Sequence, residues 1–180
     1  MMSTIPNITV TGWSNSGKTT FVTRVVKILA DSGIKVAVIK HHGHAPGGVD
    51  QEGKDSWKYE QAGANPVILS SSAQYAIFVS TPDHEPTREE LMEQLPASTE
   101  LVVIEGFRSE AEGAVEVSRK ATGKGPKLSP EERIALISDN EELRAEVAAQ
   151  GKPVFGLEDF ADVARFFCSY AGIDPARVRG

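Results

Sequence analysis

Residues Gly12-Trp13-Ser14-Asn15-Ser16-Gly17-Lys18-Thr19 satisfy the pattern G-x-x-x-x-G-K-[ST] at every fixed position. At average glycine and lysine frequencies the bare pattern arises by chance in about one chain in a hundred of this length. Its setting narrows the reading further. The apolar run Ile8-Thr9-Val10 leads in as a strand, and Thr20 to Ala30 leads out as a helix, with Phe21, Val25 and Leu29 at i, i+4, i+8. A glycine-rich turn between strand and helix curls the backbone so that several N–H groups converge on one phosphate, and the helix N-terminus adds partial positive charge. The candidate cradle is Gly12, Ser14, Asn15, Ser16 and Gly17. Lys18 is placed to bridge outer phosphates and the Thr19 hydroxyl to hold Mg²⁺.

The rest of the chain alternates strands and helices. Val36–Ile39 reads as a strand, His41 to Glu52 as a loop, and Lys54 to Ala62 as a short helix. Val67–Leu69 and Tyr75–Val79 read as a hairpin. Thr87-Arg88-Glu89-Glu90 is a capping box opening a helix to about Leu95, and Leu101–Ile104 is an unbroken apolar run, as expected of a strand buried on both faces. Val115-Glu116-Val117 alternates like a strand, and Ala121 to Lys127 reads as a mobile loop. Ser129-Pro130-Glu131-Glu132 looks like a helix cap, Ile134–Ile137 and Val154-Phe155 like strands, and Glu141–Ala149 and Asp159–Ala171 like helices. This order predicts one α/β domain over residues 1–180, P-loop NTPase-like. It has a mostly parallel sheet with helices on both faces and a β-hairpin insertion near residues 66–79.

Composition excludes several classes. With 180 residues, 40% hydrophobic and 24% charged, the chain has ordinary globular proportions. A net charge of −6 offers no basic field for nucleic acid or an anionic membrane. No apolar run is long enough for a transmembrane helix, and Met1 to Asn7 lacks the apolar core of a signal peptide. Cys168, the single cysteine, lies in an apolar helical stretch and reads as a packed thiol, consistent with a reducing cytoplasm.

Phosphoryl chemistry needs an acid near Mg²⁺ at the end of a buried strand. Glu105 follows Leu101–Ile104 directly and is the candidate catalytic and metal-side acid, with Gly106 keeping the backbone open beside the phosphates. Asp50-Gln51-Glu52-Gly53 carries a D-x-x-G pattern, so Asp50 is a second candidate catalytic group and Asp55 a candidate metal contact. Asp55 is equally placed as a charge on a helix N-terminus. His41, His42 and His44 follow Lys40; they suit either Zn²⁺ or Ni²⁺ or, as neutral imidazoles, an anionic ligand. Arg108 is placed to reach a phosphate. Asp139 follows the strand Ile134–Ile137, where a guanine-reading carboxylate would sit, and is equally placed to cap the next helix.

Taken in order, Gly12–Thr20, Ile39-Lys40-His41-His42-Gly43-His44, Asp50 with Gly53–Ser56, Ala62-Gly63-Ala64 and Val103-Ile104-Glu105-Gly106-Phe107 resemble the molybdopterin-guanine dinucleotide biosynthesis adapter protein B family, across residues 7 to 170. The family often has His-x-His-His after its lysine and Lys after Glu-Gly-Phe; here the order is His41-His42-Gly43-His44, and Arg108 stands after Phe107. The resemblance implies GTP and Mg²⁺ binding, slow GTP hydrolysis at most, a cytoplasmic homodimer, and a molybdopterin guanylyltransferase as partner, with molybdopterin itself a candidate ligand. It assigns Gly17, Lys18, Thr19 and Thr20 to the nucleotide and Glu105 as the acid. Two other readings stay open: a small-molecule P-loop kinase, and a metallochaperone GTPase using His41, His42 and His44.

Overall fold

A computed structural model of the chain describes residues 5–41, 49–107 and 113–179. They fall into two compact units, one formed by 1–41 with 91–180, the other by 42–90.

The larger unit is built on six strands. β1 (Asn7–Thr11), β2 (Val36–Lys40), β5 (Leu101–Glu105), β6 (Ala114–Ser118), β7 (Arg133–Ser138) and β8 (Val154–Phe155) lie in the order β2-β5-β1-β6-β7-β8. Every pairing is parallel. Parallel neighbours need crossovers, and helices supply two of them: α1 (Lys18–Asp31) between β1 and β2 and α4 (Glu141–Ala149) between β7 and β8, while α5 (Phe160–Tyr170) follows the last strand. The two-residue side-chain period divides each strand between two faces. Ile8, Val10, Leu101, Val103, Val115, Val117, Ala135 and Ile137 pack with α1 and α5 through Val25, Leu29, Val163 and Phe167. On the other face, Val102 and Ile104 meet Leu91 and Met92 of α3 (Arg88–Glu93), and Leu136 meets Leu143 and Val147 of α4. The α/β architecture with helices on both faces is the one the residue pattern predicts. Burial of each such aliphatic side chain stabilises the fold by about 1.5–3 kcal/mol.

In the smaller unit, α2 (Asp55–Gln61) precedes β3 (Val67–Ser70) and β4 (Tyr75–Phe78), an antiparallel pair with Ile68 opposite Ile77. This is the expected hairpin, and it forms its own two-stranded sheet.

Some local expectations differ. Ser129 and Glu132 do make reciprocal capping bonds: Ser129 N–H donates to Glu132 Oε2 at 2.9 Å, and Glu132 N–H to Ser129 Oγ at 3.3 Å. No helix follows, because β7 begins at Arg133 and draws the next apolar residues into the sheet. The segment read as a mobile loop is tied at several points, described below. No described helix is long and apolar enough to cross a membrane. Cys168 is buried, and burial raises its thiol pKa, as a packed core cysteine requires.

Candidate functional site

β1 ends at Thr11 and α1 begins at Lys18, so the glycine-rich loop spans 12–17 at the C-terminal edge of the sheet. Gly12 is demanded by close approach: a Cβ there would sit 2.2 Å from the Val117 carbonyl oxygen of β6. Within the loop Ser16 N–H donates to Trp13 O at 3.2 Å, and Ser16 Oγ is buried with no hydrogen-bond partner. Gly17 is the N-cap of α1 and offers no side chain, and the first turn carries no acidic residue. The leading amides of a 14-residue helix are therefore left for an external acceptor.

The side chains around the loop carry the charge complementary to that acceptor. Lys18 Nζ donates to Gly12 O at 3.1 Å and Trp13 O at 2.8 Å, folding the ammonium back over the loop. Burial lowers the Lys18 pKa below the ordinary lysine value; the nearby Lys127 and Lys40 ammoniums push the same way, and Glu105 opposes them. Lys127 Nζ also donates to Gly12 O, at 3.1 Å. Lys124 lies over the Trp13 ring at 4.7 Å. A chain of net charge −6 thus gathers several cations at one loop.

Glu105 ends β5, paired to both β1 and β2 in register with Val10 and Lys40. Thr19 Oγ1 donates to Glu105 Oε1 at 3.0 Å, with Oε2 at 3.2 Å. Lys40 Nζ lies 3.3 Å from Thr19 Oγ1 and 3.6 Å from Glu105 Oε1. The structure therefore brings together Thr19 and Glu105, 86 residues apart in the chain, around a point that already attracts positive charge. Gly106 keeps no open space beside Glu105: a Cβ there would meet His41 Cβ at 2.7 Å. His41 is fixed by its N–H to Glu105 O at 2.8 Å and by its ring against Phe107, 4.5 Å between centroids. His42, His44 and Arg108 lie outside the described residues.

The remaining candidates are distributed differently. Asp139 does not cap α4; Asn140 does, through its side chain to Leu143 N–H at 3.3 Å. Asp139 Oδ1 instead accepts from Lys120 N–H at 2.7 Å, holding the segment after β6. Asp50 and Asp55 belong to the smaller unit. Asp50 Oδ1 accepts from Gln51 N–H at 2.7 Å while its Oδ2 is buried with no partner. Asp55 opens α2 and pairs with Lys58 at 3.3 Å, as a helix N-terminal charge does. Among the described residues no group of three or more His, Cys, Asp or Glu side chains is arranged to hold a metal ion.

Residues that the sequence does not single out complete the site. Glu116, fully buried in β6, pairs with Arg133 of β7 at 2.9 Å and accepts from Lys127 N–H at 2.6 Å and Leu128 N–H at 3.4 Å. Arg133 also donates to Leu128 O at 2.7 Å. Trp13 Nε1 donates to Gly125 O at 2.8 Å. These bonds strap residues 119–128 beside the glycine-rich loop. Arg119, at the start of the strap, faces Gly17. The signal for Glu116 was a charged residue between two valines in a strand, which alternation alone assigns to solvent.

The sequence model of the family described as molybdopterin guanine dinucleotide synthesis protein B (MobB) matches residues 7–139. The chain is 40% identical over 111 residues to the molybdopterin-guanine dinucleotide biosynthesis adapter protein of Haemophilus influenzae, spanning 61% of each protein. It is 32% identical over 164 residues to the adapter protein of Escherichia coli, covering 87% of this chain and 91% of that one. The crystal structure of Bacillus subtilis MobB superposes with a TM-score of 0.71 at 30% identity, over 92% of this chain and 97% of that one. Because the family model spans residues 7–139, well over half of the chain, and relatives are matched along most of their length, the chain belongs to the molybdopterin guanine dinucleotide synthesis protein B family.

Proposed function

We propose that this protein is a GTP-binding adapter in molybdopterin guanine dinucleotide biosynthesis, assisting the guanylyltransferase that joins GMP to molybdopterin. The observation that carries the reading is the Thr19–Glu105 contact beside an uncapped helix N-terminus ringed by Lys18, Lys40 and Lys127. A hydroxyl and a carboxylate are hard oxygen donors suited to Mg²⁺, which is held through one or two protein oxygens plus substrate phosphates. With two such oxygens here, the metal arrives as part of a Mg²⁺–nucleotide complex. Amides of residues 12–19 and Lys18 hold the phosphates, and Thr20 extends the same turn. His41 and Asp139 are proposed as further nucleotide contacts. Asp50 is proposed as a catalytic group and Asp55 as a metal contact, and the chain as one P-loop domain. Slow GTP hydrolysis at most is proposed, as the family resemblance implies, with Glu105 and Asp50 as its candidate catalytic groups.

Calorimetric titration with GTP and with ATP, with and without Mg²⁺, tests this. GTP is expected to bind more tightly than ATP, and Glu105→Gln to retain binding while losing much of its Mg²⁺ dependence. An ATP preference moves a kinase reading to the front; an unchanged Mg²⁺ titration removes Glu105 from the metal.

The homodimer reading rests on the hairpin. Ile68, Tyr75 and Ile77 share one face, continued by Val79, and are 59, 72, 52 and 62% exposed. A two-stranded ribbon is marginally stable in water, and apolar residues on its open face favour a cover. Light scattering is expected to give twice the chain mass for the parent and the single mass for Ile77→Asp; a monomeric parent rejects the dimer. A cytoplasmic location fits the lone buried cysteine.

A further inference from the structure

We infer that Arg119 is a phosphate-contacting residue of this site, presented to the nucleotide from the end of β6; the inference rests on the nucleotide-binding reading above. β6 runs parallel to β1 with Val10 opposite Val115 and Thr11 opposite Glu116, so the two strands deliver their C-terminal ends side by side. Arg119 is the first residue beyond β6. A Cβ placed on Gly17 would meet Arg119 Cζ at 3.6 Å, Nη2 at 3.7 Å and Nε at 3.9 Å. The guanidinium therefore lies across the glycine that opens α1, next to Lys18.

Its backbone is held and its head is not. Arg119 O accepts from Thr122 N–H at 3.0 Å and Thr122 Oγ1 at 2.8 Å, and the neighbouring Lys120 N–H is tied to Asp139. Further along, the buried Glu116 carboxylate takes the Lys127 amide, so the strap is fixed at both ends. Arg133, Arg165 and Arg177 each pair with a carboxylate. The Arg119 guanidinium has no hydrogen-bond or ion-pair partner among the described residues, although it carries five N–H donors and no acceptor. A second unsatisfied group, buried Ser16 Oγ, lies in the same loop. A polyphosphate seated on the amides of Gly17 to Thr19 would lie beside this fork and match it bidentately. Gly17 is favoured by its φ of +83°, and a Cβ there would stand in ordinary van der Waals contact with the guanidinium.

The test is titration of the full chain with Mg²⁺ and GTP, ATP or inorganic tripolyphosphate, the last by displacement of a fluorescent GTP analogue. Parent, Lys18→Ala, Arg119→Ala and Arg119→Lys are compared. Arg119→Ala is expected to weaken all three ligands by a similar factor, roughly tenfold to a hundredfold. Arg119→Lys is expected to fall between, keeping charge but losing the fork. Melting temperatures should match the parent, because the exposed guanidinium holds nothing in the fold. Unchanged affinities for Arg119→Ala overturn the assignment, as does a loss confined to GTP and ATP, which would place the guanidinium on base or sugar. If Lys18→Ala loses binding and Arg119→Ala does not, only this inference fails. If the parent binds no ligand, or Lys18→Ala binds like the parent, the nucleotide reading fails with it.

Discussion

Replacing Lys18 with alanine is expected to weaken Mg²⁺–GTP binding by roughly a hundredfold or more, about 2.7 kcal/mol, while leaving the fold intact. Lys18 is half-buried at the loop, and its present partners are the carbonyls of Gly12 and Trp13. Both can turn to water when it is removed, so the melting temperature should change little. The charge opposite the phosphates cannot be replaced from solvent, and contacts between charged groups at a partly desolvated site are the ones that matter most. The parent should also show a pH signature. The phosphate-binding form of Lys18 is protonated, and burial lowers its pKa below the ordinary lysine value. Affinity should therefore begin to fall below the ordinary lysine range as pH rises, and this decline should be absent from Lys18→Ala. Isothermal titration across the alkaline range reads both effects. A folded Lys18→Ala protein with parental GTP affinity would reject the phosphate-loop assignment.

The second large effect is on stability. Glu116→Ala is expected to cost about 3–5 kcal/mol, because it strands the buried Arg133 charge. It also unpairs the Lys127 and Leu128 amides. For a chain of this size that corresponds to a fall in melting temperature of roughly 10 °C. The nucleotide site should suffer too, since the strap carrying Arg119, Lys124 and Lys127 loses its anchor. Replacing the pair together, Glu116→Leu with Arg133→Met, should cost less than the sum of the single changes, because no lone charge remains buried. Thermal denaturation of the four proteins of this cycle measures the coupling. Additive losses would mean that the two side chains do not depend on each other.

The contrast between these two residues shows where the sequence is legible. Lys18 is announced by its neighbours. The glycines, lysine and threonine of a phosphate loop act through spacing of a few residues, and a short strand followed by a helix determines their geometry. The unbroken run Leu101–Ile104 likewise reads as a central strand, because a strand covered on both faces has no polar side to show. Glu105 inherits its position from that run. In Val115-Glu116-Val117 the alternation predicts a strand correctly and does not say what covers its middle residue. Alternation implies a solvent face only where no other segment covers that face. Here residues 127–133 cover it and bring Arg133 with them. Asp139 shows the same dependence. Strand-end position nominated it for a base or a helix cap, but the cap fell to Asn140 next door, and Asp139 turned to the Lys120 amide.

The sequence by itself determined the glycine-rich loop between strand and helix, the alternating α/β order, the buried central strand with its terminal acid, and the hairpin, all from patterns local to a few turns of chain. Only the tertiary structure decided that β5 and β6 flank β1, because strand order is a matter of packing between distant segments. That order sets Glu105 on Thr19 from one side and Arg119 on Gly17 from the other. It also converts a charged residue amid valines into the anchor of the strap, since whether a charge is exposed or paired depends on what folds over it.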